Sequence, residues 1–153
     1  MRSFALSSAL FVASAVAQDV KCADGLYMVV ARGTNEDKGA GVTGGIAENI
    51  ADRIKGSIIE PLDYPATLMD PDYQESESDG VEAMTTVLTK YHSSCPDGKI
   101  AVLGYSQGGQ ITTDTFCGGS GDGFPTNKPL STSLVQDSGD YPQPLPSHAA
   151  VTD

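Results

Sequence analysis

One stretch narrows what this chain can fold into more than any other. The apolar run Lys99-Ile100-Ala101-Val102-Leu103 leads without a break into Gly104-Tyr105-Ser106-Gln107-Gly108. A short, bounded apolar run reads as a buried strand, and residues from about 107 to 116 follow it with a helical pattern. Strand, sharp turn and helix form the context that G-x-S-x-G requires. The turn lifts the Ser106 side chain clear of the sheet at the helix N-terminus, and the glycines let the chain pass close to itself. There the Gln107 backbone N–H and the positive helix end would stabilise an oxyanion, which makes Ser106 a candidate nucleophile.

The rest of the chain supplies a sheet for that turn. Leu26-Tyr27-Met28-Val29-Val30-Ala31 is a continuous apolar run, as expected of a strand buried on both faces. From Gly45, Ile46, Ile50 and Ile54 recur every four residues among charged ones, which predicts an amphipathic helix. A second strand is predicted over 57–62, weakened by Pro61, and a long surface loop over 63–79. Asp79, with Glu82 three residues on, is the expected cap of the next helix, whose core face would be Val81, Met84, Val87, Leu88 and Tyr91. Alternating strands and helices imply parallel strands joined by crossovers, hence a three-layer α/β/α sandwich. Residues 118–147 are rich in Gly and Pro without a regular period, so the domain reads as unfinished, its C-terminal strand and helix missing.

Residues 1–17 read as a secretory signal peptide: Arg2 precedes an apolar run over 4–16 that closes on Ala15-Val16-Ala17. That run is shorter than the roughly 20 apolar residues needed to cross a bilayer, so secretion is expected and a membrane anchor is not. Removing Arg2 with the leader leaves 8 Lys plus Arg against 20 Asp plus Glu. A surface this acidic repels phosphate backbones, which argues against nucleic acid as a partner. Three cysteines, Cys22, Cys95 and Cys117, would enter an oxidising compartment, where thiols tend to pair. None forms a Cys-x-x-Cys pair, and His92 and His148 have no ligand spacing, so no metal site is predicted. His92 reads as a helix-end residue favoured by the dipole.

A second oxyanion donor usually comes from the loop after an early strand. Here that loop is Arg32-Gly33-Thr34-Asn35-Glu36, and Thr34 offers both an N–H and a hydroxyl. The rival motif, Gly39-Ala40-Gly41-Val42-Thr43-Gly44, spells a dinucleotide fingerprint, with Glu60 or Asp63 near the place of a ribose-binding acid. Residues 32–38 intervene between strand and glycines, where the fingerprint should follow at once. They read instead as loop glycines beside the site, and no cofactor is expected.

These segments resemble the cutinases and fungal acetylxylan esterases, small secreted serine esterases with an α/β-hydrolase-like fold. The likeness rests on Ala31-Arg32-Gly33-Thr34-Asn35-Glu36, on Asp63-Tyr64-Pro65-Ala66, and on the run from Ile100 through Gly104-Tyr105-Ser106-Gln107-Gly108-Gly109-Gln110. It implies Ser106 as nucleophile, Thr34 with Gln107 as oxyanion hole, and a Cys22–Cys95 disulfide that leaves Cys117 free or paired with another chain. The implied partner is an ester substrate, plant cell-wall polymers among the candidates, and a monomer is expected. The resemblance covers 18–137 as a cutinase-like domain; 138–153 is an irregular Pro-rich tail unlike the family. Gly139-Asp140 and His148 keep the family's chain order of Ser, Asp and His, but no apolar strand leads into Asp140 and no cysteines flank it. The catalytic acid and base are therefore expected to be missing, and the alternative function is a non-catalytic, cutinase-like secreted protein.

Overall fold

Residues 20–119 and 123–131 are described by the structure, a computed structural model. The expected leader at 1–17 and the tail at 138–153, with Asp140 and His148, lie outside the described residues. Three parallel strands form one sheet in the order β2-β1-β3: β1 is Leu26–Ala31, β2 Ile58–Pro61 and β3 Lys99–Gly104. The helices are α1 (Gly44–Arg53), α2 (Tyr73–Ser94) and α3 (Gln107–Cys117), with a 3₁₀ turn over Gly41–Thr43.

β1 is central, and Met28, Val29, Val30 and Ala31 are fully buried. Its alternate side chains serve two cores, as the two-residue strand period requires. Met28 and Val30 pack with Ala47 of α1 on one face. Tyr27, Val29 and Ala31 pack on the other with Val81, Met84 and Leu88 of α2 and Ile111 of α3. The three-layer α/β/α arrangement predicted from sequence is therefore present. β3 was expected to be buried; its middle residues are only partly so, because it lies at an edge of the sheet among the described residues. Pro61 closes β2 on the opposite edge, where its missing N–H breaks no ladder.

Two helix expectations need correction. α2 begins six residues before Asp79, with Asp72 as its cap: the Asp72 carboxylate accepts from the Glu75 N–H at 3.0 Å. Asp72-x-x-Glu75 is the same capping pattern as Asp79-x-x-Glu82, and the first copy is the one that caps the helix. Of the expected core face of α2, Val81, Met84, Leu88 and Tyr91 are buried and Val87 only partly so. In α1 the expected face was Ile46, Ile50 and Ile54, yet Ile46 is 55% exposed and Ile54 41%. Gly44, Ala47 and Ala51 line the sheet instead, with Ile50 half-buried beside them, and Ile54 has already left the helix. Small residues let α1 approach Met28 and Val30 closely.

The α2–α3 contact buries a carboxyl. Gly80 permits close approach, since a Cβ there would overlap Ile111. One turn nearer the start of α2, Glu77 is 3% exposed, and its Oε1 has no hydrogen-bond partner. Burial, and then the adjacent Asp114 carboxylate, push the Glu77 carboxyl up to about 7. Native protein therefore holds a proton that the unfolded chain releases near the ordinary carboxylate range. The associated stability is full below that range and falls as pH rises toward about 7. We expect a loss on the order of 2 kcal/mol between pH 4.5 and 8, and little pH dependence from this site in Glu77→Gln. Urea unfolding of both proteins across that range checks this, and a parallel decline in the variant would assign the proton elsewhere.

Candidate active site

β1 and β3 end side by side, with Ala31 paired to Gly104. The Tyr105 N–H donates to the Ala31 carbonyl at 3.1 Å and carries the pairing one residue into the turn. Ser106 follows at φ 53° and ψ −117°, a left-handed conformation that costs a side-chain-bearing residue energy and is typical of functional sites. α3 starts at once. The Ser106 carbonyl accepts from the Gly109 and Gln110 N–H groups at 2.9 and 3.1 Å, and the Gly108 N–H donates to the Tyr105 carbonyl at 2.9 Å. Only glycine fits beside this turn: a Cβ on Gly108 would overlap the Ala31 carbonyl, and one on Gly104 would overlap the Gly108 carbonyl. The result is an exposed serine side chain at a helix N-terminus.

Gln107 was read only for its backbone N–H. Its side chain proves fully buried, with Nε2 donating to the Thr67 and Tyr73 carbonyls at 3.2 and 3.4 Å and Oε1 accepting from Ser76 Oγ at 3.2 Å. Ser76 Oγ in turn accepts from the Thr67 N–H at 3.0 Å. This polar pin ties the elbow to the segment ahead of α2. The signal for it in sequence was Gln in place of an apolar residue at a buried first helical position, which spacing alone does not reveal.

Thr34 lies in a turn at the same end of the sheet, half-buried. Its neighbours hold it: a Cβ on Gly33 would meet the Tyr105 ring at 2.8 Å, and Asn35, at φ 60°, donates its N–H to the Ala66 carbonyl at 2.6 Å. The Glu36 carboxylate accepts from the Gly33 N–H and, at 2.9 Å, from the Val42 N–H, so the glycine stretch 39–44 is strapped to the loop. Arg32, unassigned from sequence, is buried beneath, its guanidinium 4.9 Å from the centre of the Tyr64 ring. Burial pushes the Tyr64 hydroxyl up to about 12 despite the opposing pull of Arg32, so it stays neutral and donates to the Arg32 carbonyl.

His92 sits in the last turn of α2, shortly before β3 begins. β3 spans six residues, roughly 20 Å. His92 therefore lies at the opposite end of the sheet from Ser106 and does not reach it. Cys22 and Cys95 are joined with Cα atoms 5.6 Å apart, and Cys117 is free and exposed. Among the described residues no group of three His, Cys, Asp or Glu side chains is suited to a metal ion, and no helix is long and apolar enough to cross a membrane. A cleft of about 530 Å³ lies between the end of β2 and α2, lined by Glu60, Leu62, Asp79, Val87 and Lys90 among others. Ser106 is not among its lining residues.

The family model described as Cutinase matches residues 22–147. Cutinase 11 of Verticillium dahliae is 31% identical over 138 residues, covering 85% of this chain and 47% of its own length. Acetylxylan esterase 2 of Talaromyces purpureogenus is 30% identical over 99 residues, covering 61% of this chain and 42% of its own length. Among solved structures, the catalytic core domain of acetyl xylan esterase from Trichoderma reesei superposes with a TM-score of 0.70 at 27% identity, over 76% of this chain and 60% of that one. The chain thus spans less than half the length of these two curated relatives. Parallel sheet, serine elbow and family match all fall on the same residues, and the chain belongs to the cutinase family, whose cutinases and acetylxylan esterases are carboxylic ester hydrolases.

Proposed function

We propose that this chain is a secreted serine esterase acting on carboxylic esters, with Ser106 as nucleophile and the Gln107 N–H and Thr34 as oxyanion donors. Its substrate class is short acyl esters, acetylated xylan or cutin. The observation that carries this reading is Ser106 at positive φ, opening α3 at the end of the sheet where the Thr34 loop also emerges. Ser106 Oγ attacks the ester carbonyl carbon, the carbonyl oxygen gathers negative charge, and the tetrahedral adduct collapses with loss of the alcohol. Water then attacks the acyl-serine, releases the carboxylic acid and regenerates the hydroxyl. Export through an oxidising compartment is supported by the Cys22–Cys95 bridge and by the leader-like order of residues 1–17.

The hydroxyl needs a proton acceptor. With His92 at the far end of the sheet, His148 is the other histidine of the sequence; it lies outside the described residues, in a Pro-rich stretch without an apolar run from which a strand would be read. Slow acylation is therefore expected from the chain as it stands. Hydrolysis of a short nitrophenyl ester by purified protein tests the function. Thr34→Ala should lower the rate roughly 10²- to 10³-fold with little change in apparent affinity, because an oxyanion donor acts mainly in the transition state. An effect confined to affinity would remove the Thr34 hydroxyl from the oxyanion hole, since the backbone N–H is kept in the variant.

A further inference from the structure

Arg32 is 2% exposed, yet among the described residues its hydrogen bonds all go to backbone carbonyls and none to a carboxylate. Nε donates to Glu36 at 3.1 Å, Nη1 to Leu62 at 3.2 Å, and Nη2 to Tyr64 and Pro65 at 2.6 and 3.1 Å. Burying a cation without a counter-charge is costly, and an apolar residue would fill the same space more cheaply. What the guanidinium supplies instead is geometry: a planar fork that grips several fixed acceptors at once.

The gripped segment is shared. Residues 62–65 receive the Arg32 side chain, Ala66 receives the Asn35 N–H next to Thr34, and Thr67 receives the Gln107 side chain. Arg32 also meets the elbow directly, since a Cβ on Gly108 would come within 2.7 Å of its carbonyl oxygen. The Tyr64 hydroxyl closes the circuit by donating to that same carbonyl. We propose that Arg32 is a positioning residue that sets the spacing between the two oxyanion donors, by locking 62–66 against the Thr34 loop while the adjoining residue holds Gln107. This rests on the esterase reading above. It predicts that the donors shift together when the fork is lost, because one stretch of chain holds both.

The test compares wild type with Arg32→Lys, which keeps the charge but loses the fork, and with Tyr64→Phe, which removes only the hydroxyl that donates to the Arg32 carbonyl. Circular dichroism first establishes which variants are folded, and Tyr64→Phe decides alone if the lysine variant is not. Reaction with a fluorophosphonate is resolved into its maximal inactivation rate and its binding constant, and the amide resonances of Thr34 and Gln107 are followed by NMR. In folded variants the maximal rate should fall roughly tenfold or more with the binding constant within about twofold, since small misplacements act on the reacting geometry. The Thr34 and Gln107 resonances should move together while Val29 in β1 stays in place. A maximal rate within about twofold of wild type, a loss confined to binding, or unmoved Thr34 and Gln107 resonances would overturn the assignment. If wild type itself is never labelled, the nucleophile reading fails on its own, and the paired resonances alone decide for or against Arg32.

Discussion

Ser106→Ala should abolish covalent modification by a fluorophosphonate and reduce nitrophenyl ester hydrolysis to the uncatalysed background. Both reactions require an oxygen nucleophile at the elbow, and the structure holds that oxygen exposed at a helix N-terminus in a conformation that side-chain-bearing residues seldom adopt. In a complete serine triad the loss of the nucleophile costs on the order of 10⁶-fold. Here the ratio is limited by a slow starting rate, so the decisive readout is intact mass: one adduct on wild type and none on the variant. The substitution should fold, because the Ser106 side chain caps nothing and makes no hydrogen bond that the fold needs. Alanine tolerates positive φ no better than serine does, so a modest fall in thermal midpoint is compatible with this outcome. Retained labelling would move the nucleophile elsewhere.

Opening the Cys22–Cys95 bridge should cost about 4 kcal/mol of folding stability, the chain-entropy value for a loop of this length. The bridge spans 73 residues and fastens the segment ahead of β1 to the end of α2. Local packing reinforces it: Tyr27 stacks on Tyr91 with centroids 3.8 Å apart, and the Ala23 N–H donates to the Tyr91 hydroxyl at 3.1 Å. With three strands among the described residues, the described core is small and has little stability in reserve. Urea unfolding of wild type against the double Cys22→Ser, Cys95→Ser variant should show the loss chiefly as a lower midpoint. A difference below about 1 kcal/mol would mean that the contacts around Tyr91 hold this corner without the covalent link. Peptide mapping that joined Cys22 to Cys117 would contradict the connectivity itself.

The sheet was legible because its strands are short, largely apolar and bounded by turn residues. β1 occupies the residues read for it, and β3 runs into the elbow as its sequence implied. Helix faces were less legible. The isoleucine period in α1 pointed outward because glycine and alanine, which carry little hydropathy signal, make the close contact with the sheet. The start of α2 was misplaced because two equivalent capping patterns stand seven residues apart, and sequence alone does not rank them. At the site, the turn at Ser106 and Gln107 followed from a motif whose spacing encodes it, and the Thr34 loop from its place after an early strand. Arg32, Tyr64, Ser76 and the Gln107 side chain did not, because each acts through carbonyls that only the folded chain brings within reach.

The time course and site of fluorophosphonate modification, read by peptide mass spectrometry on wild type and His148→Ala, test the central claim most directly. The account predicts a single adduct on Ser106, formed slowly and at nearly the same rate in both proteins. The elbow and its donors are built from described residues, while no histidine among those residues reaches the hydroxyl. An adduct on any other residue would contradict the assignment of Ser106. Prompt stoichiometric labelling of Ser106 that His148→Ala abolishes would show that Asp140 and His148 complete a working acid and base, and that the expectation of a missing base is wrong.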